Sequence, residues 1–345
     1  MIKRWARKSL RRIAQGPRTR TGRRALILLY HRVAELRSDP WRLSVTPRQF
    51  AEHLETLRLY AHPISLQQLY QGLREGNLPD RSVAITFDDG YADNLYNAKP
   101  LLERYAVPAT VFLTTGYIGK EREFWWDELE RLLLQPGTIP EVLSLTINGS
   151  THRWKLGKAI YYSENDARRY HPWRAWKYLF SPRHRLYRTL WELLHPLTEG
   201  ERQEVLDELL VWASSEPTAR PTHRPLSTEE VVALAQGELV DVGAHTVTHP
   251  PLSTLPLVLQ QDEVLRSKSR LEEILNRQVD GFAYPHGDLS PETVGIVREA
   301  GFAYACSALD DVVVQSTDRF QLPRALVVDG DREKFATQLS TWFAD

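Results

Sequence analysis

A parallel α/β sheet, open or closed into a barrel, is the fold class predicted by this sequence of 345 residues. Apolar runs that end in polar residues recur along the chain, and most are followed by an amphipathic stretch, the signature of repeated strand–helix units. The residues able to carry chemistry also collect at one end of those runs. His31, Asp88, Asp89, His245 and the turn Pro285-His286-Gly287 all follow a candidate strand, where the functional loops of such folds lie. At 42% hydrophobic, the chain is long enough for one large domain, or for a domain with a sizeable insertion.

Residues 1–24 hold ten Lys or Arg and no Asp or Glu, so the neutral formal charge conceals a basic tail on an acidic body. Placed on a helix, Ile2, Trp5, Ala6, Leu10 and Ile13 fall broadly on one side and the cations on the rest. That is the pattern of an interfacial helix on an anionic leaflet, and equally of a solvated basic arm. Peripheral membrane contact through residues 1–24 is therefore one expectation. The tail lacks the apolar stretch of a secretory signal, and a single cysteine, Cys306, excludes an intramolecular disulfide. A cytoplasmic body, reaching at most to the inner face of the membrane, is the simplest expectation. Nucleic acid is not expected as a partner, because the acidic body offers no broad phosphate-binding face.

The candidate strands are Leu26 to Tyr30, Val83 to Phe87, Thr110 to Leu113, Leu239 to Val242, Gly281 to Tyr284 and Ala303 to Cys306. Thr46-Pro47 and Ser65 each provide a helix start, and Ser227-Thr228-Glu229-Glu230 provides another before Val231. The rhythm stops between about Tyr117 and Pro225. There Leu143 to Ile147, Asn148-Gly149 and Thr151 to Leu156 predict a hairpin, followed by helices over Leu186 to Leu194 and Glu201 to Trp212 and a Pro-rich linker at 216–221. The predicted organisation is a tail (1–24), the first part of the main domain (25–116), an inserted, mainly helical and aromatic-rich subdomain (117–226), and the second part of the main domain (227–345). Seven of the ten tryptophans lie in the insertion, most of them as anchors for its own core; Trp125 and Trp126, beside Asp127, are the two considered as ligand contacts.

The chemistry-bearing residues form two groups. Thr86-Phe87-Asp88-Asp89-Gly90 sets two adjacent carboxylates at a strand end, where Gly90 lets the backbone turn beneath them. His245-Thr246-Val247-Thr248-His249 supplies two imidazoles four apart. Each piece alone could be a turn, a cap or an ordinary histidine. Together they offer three N/O metal ligands with an open fourth position, the arrangement of catalytic zinc, and one carboxylate left over to act as a base.

The residues Thr-Phe-Asp-Asp-Gly, His-Thr-Val-Thr-His and Phe-Ala-Tyr-Pro-His-Gly (282–287), in that order, resemble the first three motifs of the polysaccharide deacetylases, the NodB-like carbohydrate esterase family 4. The resemblance covers residues 25–116 and 227 to about 330. It implies a distorted (β/α)7-type barrel of the NodB homology fold. It also implies a divalent metal, Zn2+ first, with Co2+, Ni2+ or Fe2+ as alternatives, and removal of acetyl groups from an acetylated glycan. By the resemblance, Asp89, His245 and His249 would hold the metal and Asp88 would be the general base. A backbone N–H near His286 would help to stabilise the oxyanion. No histidine follows His286, so the family's usual C-terminal acid is missing; Tyr30-His31-Arg32-Val33 resembles the permuted arrangement of the poly-N-acetylglucosamine deacetylases, which makes His31 the proton donor. Where many relatives carry an arginine that orients the base, this chain has Ala283, and Arg324 is the candidate replacement. Tyr91, Trp126, Tyr284, Pro285 and His286 are the candidate substrate contacts.

The function expected on these grounds is deacetylation of an N-acetylated sugar in a cell-surface or exported polysaccharide or its precursor. Two alternatives are a glycan-binding pseudoenzyme, favoured by the altered third motif, and an amidohydrolase of the same fold acting on a small amide.

Overall fold

A computed structural model describes residues 23–344; the basic tail read from the sequence falls outside the described residues up to residue 22. The chain divides into two compact units. The first, comprising residues up to 35, 43–119 and those from 226 onward, is built on seven parallel strands. These are β1 (Ala25–Tyr30), β2 (Ser82–Phe87), β3 (Ala109–Leu113), β4 (Val240–Ala244), β5 (Gly281–Ala283), β6 (Tyr304–Cys306) and β7 (Ala325–Leu326). Strands β1 to β6 lie side by side in chain order and β7 returns to pair with β1. The pair His62–Pro63 adds a short parallel partner to β2.

The segment leading into β7 reaches both edges of this sheet. Leu322 bridges Cys306 of β6, with Ser307 N–H donating to Leu322 O at 2.8 Å, while Ala325 and Leu326 pair with Leu28 and Leu29 of β1. The sheet therefore curls until one short stretch of chain joins its first and last strands, as a distorted barrel requires. The seventh strand is only two residues long and breaks the apolar pattern with Pro323 and Arg324, so the sequence carries no strand signal there.

Side chains alternate across a strand with a period of two, and this sorts the apolar residues into two clusters. Ala25, Ile27, Ala84, Phe112, Ala283, Tyr304, Cys306 and Leu322 pack together inside the curl. Their neighbours Leu26, Leu28, Val83, Ile85, Val111, Val242, Phe282 and Ala305 pack outward against the helices. Phe112 takes up the interior space that Gly243 leaves, since a Cβ there would sit 2.4 Å from its ring. Carried one step past the strand ends, the inner parity falls on His31, Asp88 and His245. It places Tyr284, which follows outward-facing Phe282, in the outer layer.

The helix starts follow the cap chemistry expected of them. Thr46 caps Pro47–Tyr60, and Ser65 and Ser227 close capping boxes with Gln68 and Glu230 at the heads of Leu66–Glu75 and Thr228–Leu234. Among the described residues, no helix is long and apolar enough to cross a membrane.

The second unit comprises Leu36–Arg42 and Lys120–Pro225. Its hairpin pairs Val142–Ile147 with Ser150–Lys155 around Asn148 and Gly149, both at positive φ as a two-residue turn needs. Helices Trp125–Leu134, Pro182–Leu194 and Glu199–Ala213 form its body. The short segment Leu36–Arg42, outside the expected insertion, belongs here because Trp41 is anchored by it: its Nε1 donates to the Tyr187 hydroxyl at 2.7 Å and its ring lies 4.5 Å from that of Trp191.

Two buried imidazoles tie stability to pH. His53 bonds the Tyr30 hydroxyl and Gly330 O and stacks on Phe335, and His184 packs 4.3 Å from the Trp173 ring. Burial lowers both from the usual imidazole value to about 4. Between pH 6.5 and 4 the unfolded chain therefore binds more protons than the folded one, so stability is complete above that window and is lost as pH falls through it. Each such group contributes a slope of up to about 1.4 kcal/mol per pH unit. The melting midpoint is expected to fall steadily from pH 7 to pH 4.5; a flat midpoint across that range would contradict the placement of these rings.

Candidate active site and metal centre

Asp88 and Asp89 follow β2 directly, and the backbone turns over at Asp89 and Gly90 with φ of 76° and 89°. The positive φ at Gly90 is what favours glycine there; an added Cβ would also press on a Leu113 methyl at 2.6 Å. The turn sends the two carboxylates to different partners. Asp88 receives a two-pronged bond from Arg324, Nη1 to Oδ1 at 2.7 Å and Nη2 to Oδ2 at 2.8 Å. Arg324 is buried, donates Nε–H to Ser307 O at 2.8 Å and Nη1–H to the Thr86 hydroxyl at 3.2 Å, and its guanidinium lies 5.6 Å from the centre of the Phe112 ring. The arginine arrives from the segment before β7 and reaches Asp88 because Leu322 and Arg324 share the inner parity.

Asp89 faces both imidazoles, whereas Asp88 approaches only His245, with Oδ2 3.8 Å from its Nε2. Asp89 Oδ1 is 3.3 Å from His249 Nε2 and 3.7 Å from His245 Nε2. His245 Nδ1 donates to Ala283 O at 2.8 Å, which fixes the tautomer and leaves the Nε2 lone pair aimed at the cluster. Donor atoms of Asp89, His245 and His249 all lie within 4.8 Å of one another, and all three residues are buried. Asp89 Oδ1 has no hydrogen-bond partner. A buried carboxylate oxygen left without a donor, between two imidazoles, is a donor set suited to a cation. One carboxylate and two imidazoles suit Zn2+, Co2+, Ni2+ or Fe2+, so the residues present fit a divalent ion.

The two aspartates are driven apart electrostatically. Burial pushes Asp88 up, but the opposing charge of Arg324, with His245, His31 and the Arg324 hydrogen bonds, outweighs it and holds the carboxyl at about 2. Asp89 lacks such a partner, and burial raises it. His245 is lowered to about 4 by burial, against the pull of Asp88 and Asp89, and is neutral as a ligand must be. Two adjacent carboxylates thus have separate electrostatic conditions, one kept ionised by an arginine and one calling for a cation.

His31 follows β1, with Nδ1 buried and without a hydrogen-bond partner. Burial lowers its pKa while Asp89 and then Asp88 raise it, so its ring lies within reach of both aspartates' charge. The next residue, Arg32, is buried, pairs with Asp93 (Nε to Oδ2, 3.0 Å) and lies 4.2 Å over the Tyr91 ring.

The substrate contacts expected from sequence divide differently. His286, half-buried at a φ of 58°, brings its ring 4.5 Å from that of His249. Pro285 is buried beside it. Tyr91 and Tyr284 have no exposed surface. Tyr284 spends its hydroxyl on Phe320 O at 2.9 Å, and its position in the outer layer makes it framework rather than lining. Tyr91 packs beneath Arg32, also as framework. Trp126 belongs to the second unit, where it is buried and stacks 4.9 Å from Phe124.

Sequence reading missed Thr86, the Ala283 carbonyl and Glu263. Thr86 was open to detection, since it shares the parity of Asp88. Glu263 lies on Leu257–Leu275 and accepts from Val247 N–H at 2.7 Å, Thr248 N–H at 2.9 Å and the Thr248 hydroxyl at 2.6 Å. It clamps the loop between the two histidines, in which Thr246 and His249 both adopt positive φ. For β-branched Thr246 that conformation costs energy and persists only where neighbours impose it. Asp89, Thr246, His249 and His286 are four of the ten non-glycine residues with positive φ among those described, so backbone strain concentrates at this site. Replacing Glu263 with alanine is expected to weaken metal binding about 10- to 100-fold, read by competition with a fluorescent zinc chelator. An unchanged affinity would mean the loop holds its shape without the clamp.

The family model for polysaccharide deacetylase matches residues 75–139 and 213–305. A poly-beta-1,6-N-acetyl-D-glucosamine N-deacetylase of Staphylococcus aureus (strain MSSA476) is 33% identical over 110 residues, covering 28% of this chain and 38% of the relative. The one from Staphylococcus epidermidis is 34% identical over a stretch of the same length, covering 28% of this chain. The chain thus matches well under half the length of these curated relatives. Among solved structures, the deacetylase PplD of Streptococcus pyogenes, in complex with acetate, superposes with a TM-score of 0.58 at 17% identity, over 94% of this chain and all of that one. IcaB from Ammonifex degensii gives a TM-score of 0.56 at 20% identity, over 92% of this chain and 97% of the other. At these identities the structural likeness shows the fold.

Proposed function

We propose that this chain belongs to the polysaccharide deacetylase family, whose model matches residues 75–139 and 213–305, and that it removes acetyl groups from acetamido sugars of an exported or cell-surface glycan or its precursor, with a divalent ion as cofactor. One observation carries the reading. A carboxylate locked in the fork of a buried arginine stands next to a second carboxylate whose donor atom clusters with those of two buried imidazoles, one of them oriented by the Ala283 carbonyl.

Asp89, His245 and His249 would hold the ion, which supplies Lewis acidity to water and to the acetyl carbonyl. Asp88 accepts the proton of the attacking water. Arg324 keeps Asp88 ionised throughout the working pH range and fixes the direction of its oxygens, so it acts as a positioning residue. His31 is the group within reach of both aspartates' charge that can give a proton to the departing amine. Burial makes it a stronger acid once charged, and Asp89 and Asp88 stabilise that charged form. The bond broken is the amide C–N: water adds to carbon, acetate leaves with its oxygen, and the amine departs with the proton from His31.

Acetate release from N-acetylglucosamine oligosaccharides, measured on chelator-stripped protein reconstituted with each divalent ion in turn, tests the proposal. Release that returns with metal supports it. The altered third motif gives the pseudoenzyme reading its one point in favour, and glycan affinity without acetate release under any metal would decide for it.

A further inference from the structure

The second unit carries a surface that the reaction described above does not use. Between Ala167 and Trp191 the sequence has seven Lys or Arg and no Asp or Glu, although the body as a whole is acidic. Arg168, Arg169, Lys177 and Arg185 are exposed there. Elsewhere exposed arginines commonly find carboxylates, as Arg266 does at Asp262 and Arg277 at Asp241. Among the described residues these four have no carboxylate at ion-pair distance. Of the nearby acids, Glu164 pairs with Arg37 at 2.8 Å, and Asp166, which closes the capping box of Ser163, also feels the charge of Arg169 from beyond ion-pair distance.

Aromatic rings are set among these cations. Tyr178 is 83% exposed and Phe180 58% exposed. Phe180 lies nearly parallel to Tyr170 at 5.9 Å, Tyr170 lies nearly parallel to Tyr162 at 6.2 Å, and the Arg169 guanidinium sits 5.7 Å from the Tyr170 ring centre. Below them His184, lowered to about 4 by burial, adds no charge at neutral pH. The exposed large apolar residues of this region are all aromatic; no leucine, isoleucine or valine joins them. The patch extends over the end of the short helix Glu164–Tyr170, the loop to Phe180 and Arg185 in the first turn of Pro182–Leu194, not along one face of a long amphipathic helix. The lack of a long apolar helical face argues against an interfacial helix bedded in lipid. Guanidinium forks beside exposed ring faces suit carboxylates carried on pyranose rings.

We propose that this surface binds an acidic polysaccharide, one whose chain carries uronate or comparable carboxylates alongside its acetamido sugars. The proposal rests on the reading of the first unit as a glycan deacetylase and narrows its substrate class. A cationic surface also disfavours the ammonium-bearing product, so the affinity falls as acetyl groups are removed.

The test uses the full chain, stripped of metal to prevent turnover, and fluorescence anisotropy with a labelled oligosaccharide of alternating glucuronate and N-acetylglucosamine at low salt. The double variants Arg169→Glu/Lys177→Glu and Tyr178→Ala/Phe180→Ala change exposed side chains and are checked by melting temperature. Each is expected to weaken binding about tenfold or more. A neutral N-acetylglucosamine oligomer of equal length and single-stranded DNA of equal charge are both expected to bind at least about tenfold less tightly than the acidic glycan. Equal affinity for the neutral oligomer, unchanged affinity in both variants, or equal or tighter binding of DNA or phosphatidylserine vesicles through these residues would overturn the proposal. Acetate release by the metal-loaded wild type from a simple N-acetylglucosamine glycoside reads the first unit separately. Its absence with glycan binding intact counts against the deacetylase reading, and its presence without glycan binding counts against this surface.

Discussion

Asp88→Asn is expected to lower acetate release by about 10²- to 10⁴-fold, the contribution typical of a positioned general base, while the protein still binds its divalent ion. The amide keeps the shape of the carboxylate but cannot take up the proton of water at neutral pH. It also offers the Arg324 fork one acceptor oxygen where Asp88 offers two. Some stability is therefore lost along with the chemistry, and the measurement belongs well below the variant's own melting midpoint. Metal retention is the informative companion: the donor cluster is Asp89, His245 and His249, and Asp88 is outside it. A variant that released acetate at the wild-type rate would remove Asp88 from the mechanism. One that lost its metal would show that the two aspartates do not have separate roles.

The second large effect is on stability. Arg324→Met fits a long apolar side chain into the same channel over Phe112 but leaves Asp88 buried without its counterion. Breaking a buried ion pair from one side costs about 3–5 kcal/mol, and here the Thr86 hydroxyl and Ser307 carbonyl lose a donor as well. The pH dependence follows from the same pair. Held at about 2 in the folded protein, Asp88 contributes stability that is present above the usual carboxylate value near 3.8 and is lost as pH falls through 2. Without Arg324, burial is opposed only by the weaker influence of the imidazoles and raises the carboxyl. The variant's acetate release should then fail on the acid side at a higher pH than wild type. Urea unfolding and a pH–rate profile read the two effects separately. Arg324→Lys, which restores a charge without the fork, should recover part of the stability and less of the rate. If neither the midpoint nor the acid limb moved in Arg324→Met, the ion pair would have no such role.

Much of the first unit was legible because period-two alternation and strand-end polarity are written locally. Six of its seven strands begin or end within a residue or two of the apolar runs, and Asp88, Asp89 and His245 are read off the strand ends by counting. The rest depends on information that no local window contains. Strand β7 is two residues beside a proline. Arg324 is brought to Asp88 by the closure of the sheet, across more than two hundred residues of sequence. Tyr284 was misplaced because a run of four apolar or aromatic residues hides which parity faces inward; only the packing of Phe282 against the helices settles it. Glu263 stands on a helix with no motif around it, and its role exists only once that helix is laid against the histidine loop. Leu36–Arg42 joins the second unit through Trp41, a tertiary contact without a sequence signature.

The measurement that bears most directly on the account is a metal titration of stripped protein, with bound ion and acetate release followed together on an N-acetylglucosamine oligosaccharide. One divalent ion per chain is expected, with acetate release that rises in proportion to occupancy and loss of both in a His245→Ala/His249→Ala double variant that still folds. Acetate release that persists after complete chelation, or one ion still bound per chain in the double variant, would contradict this expectation.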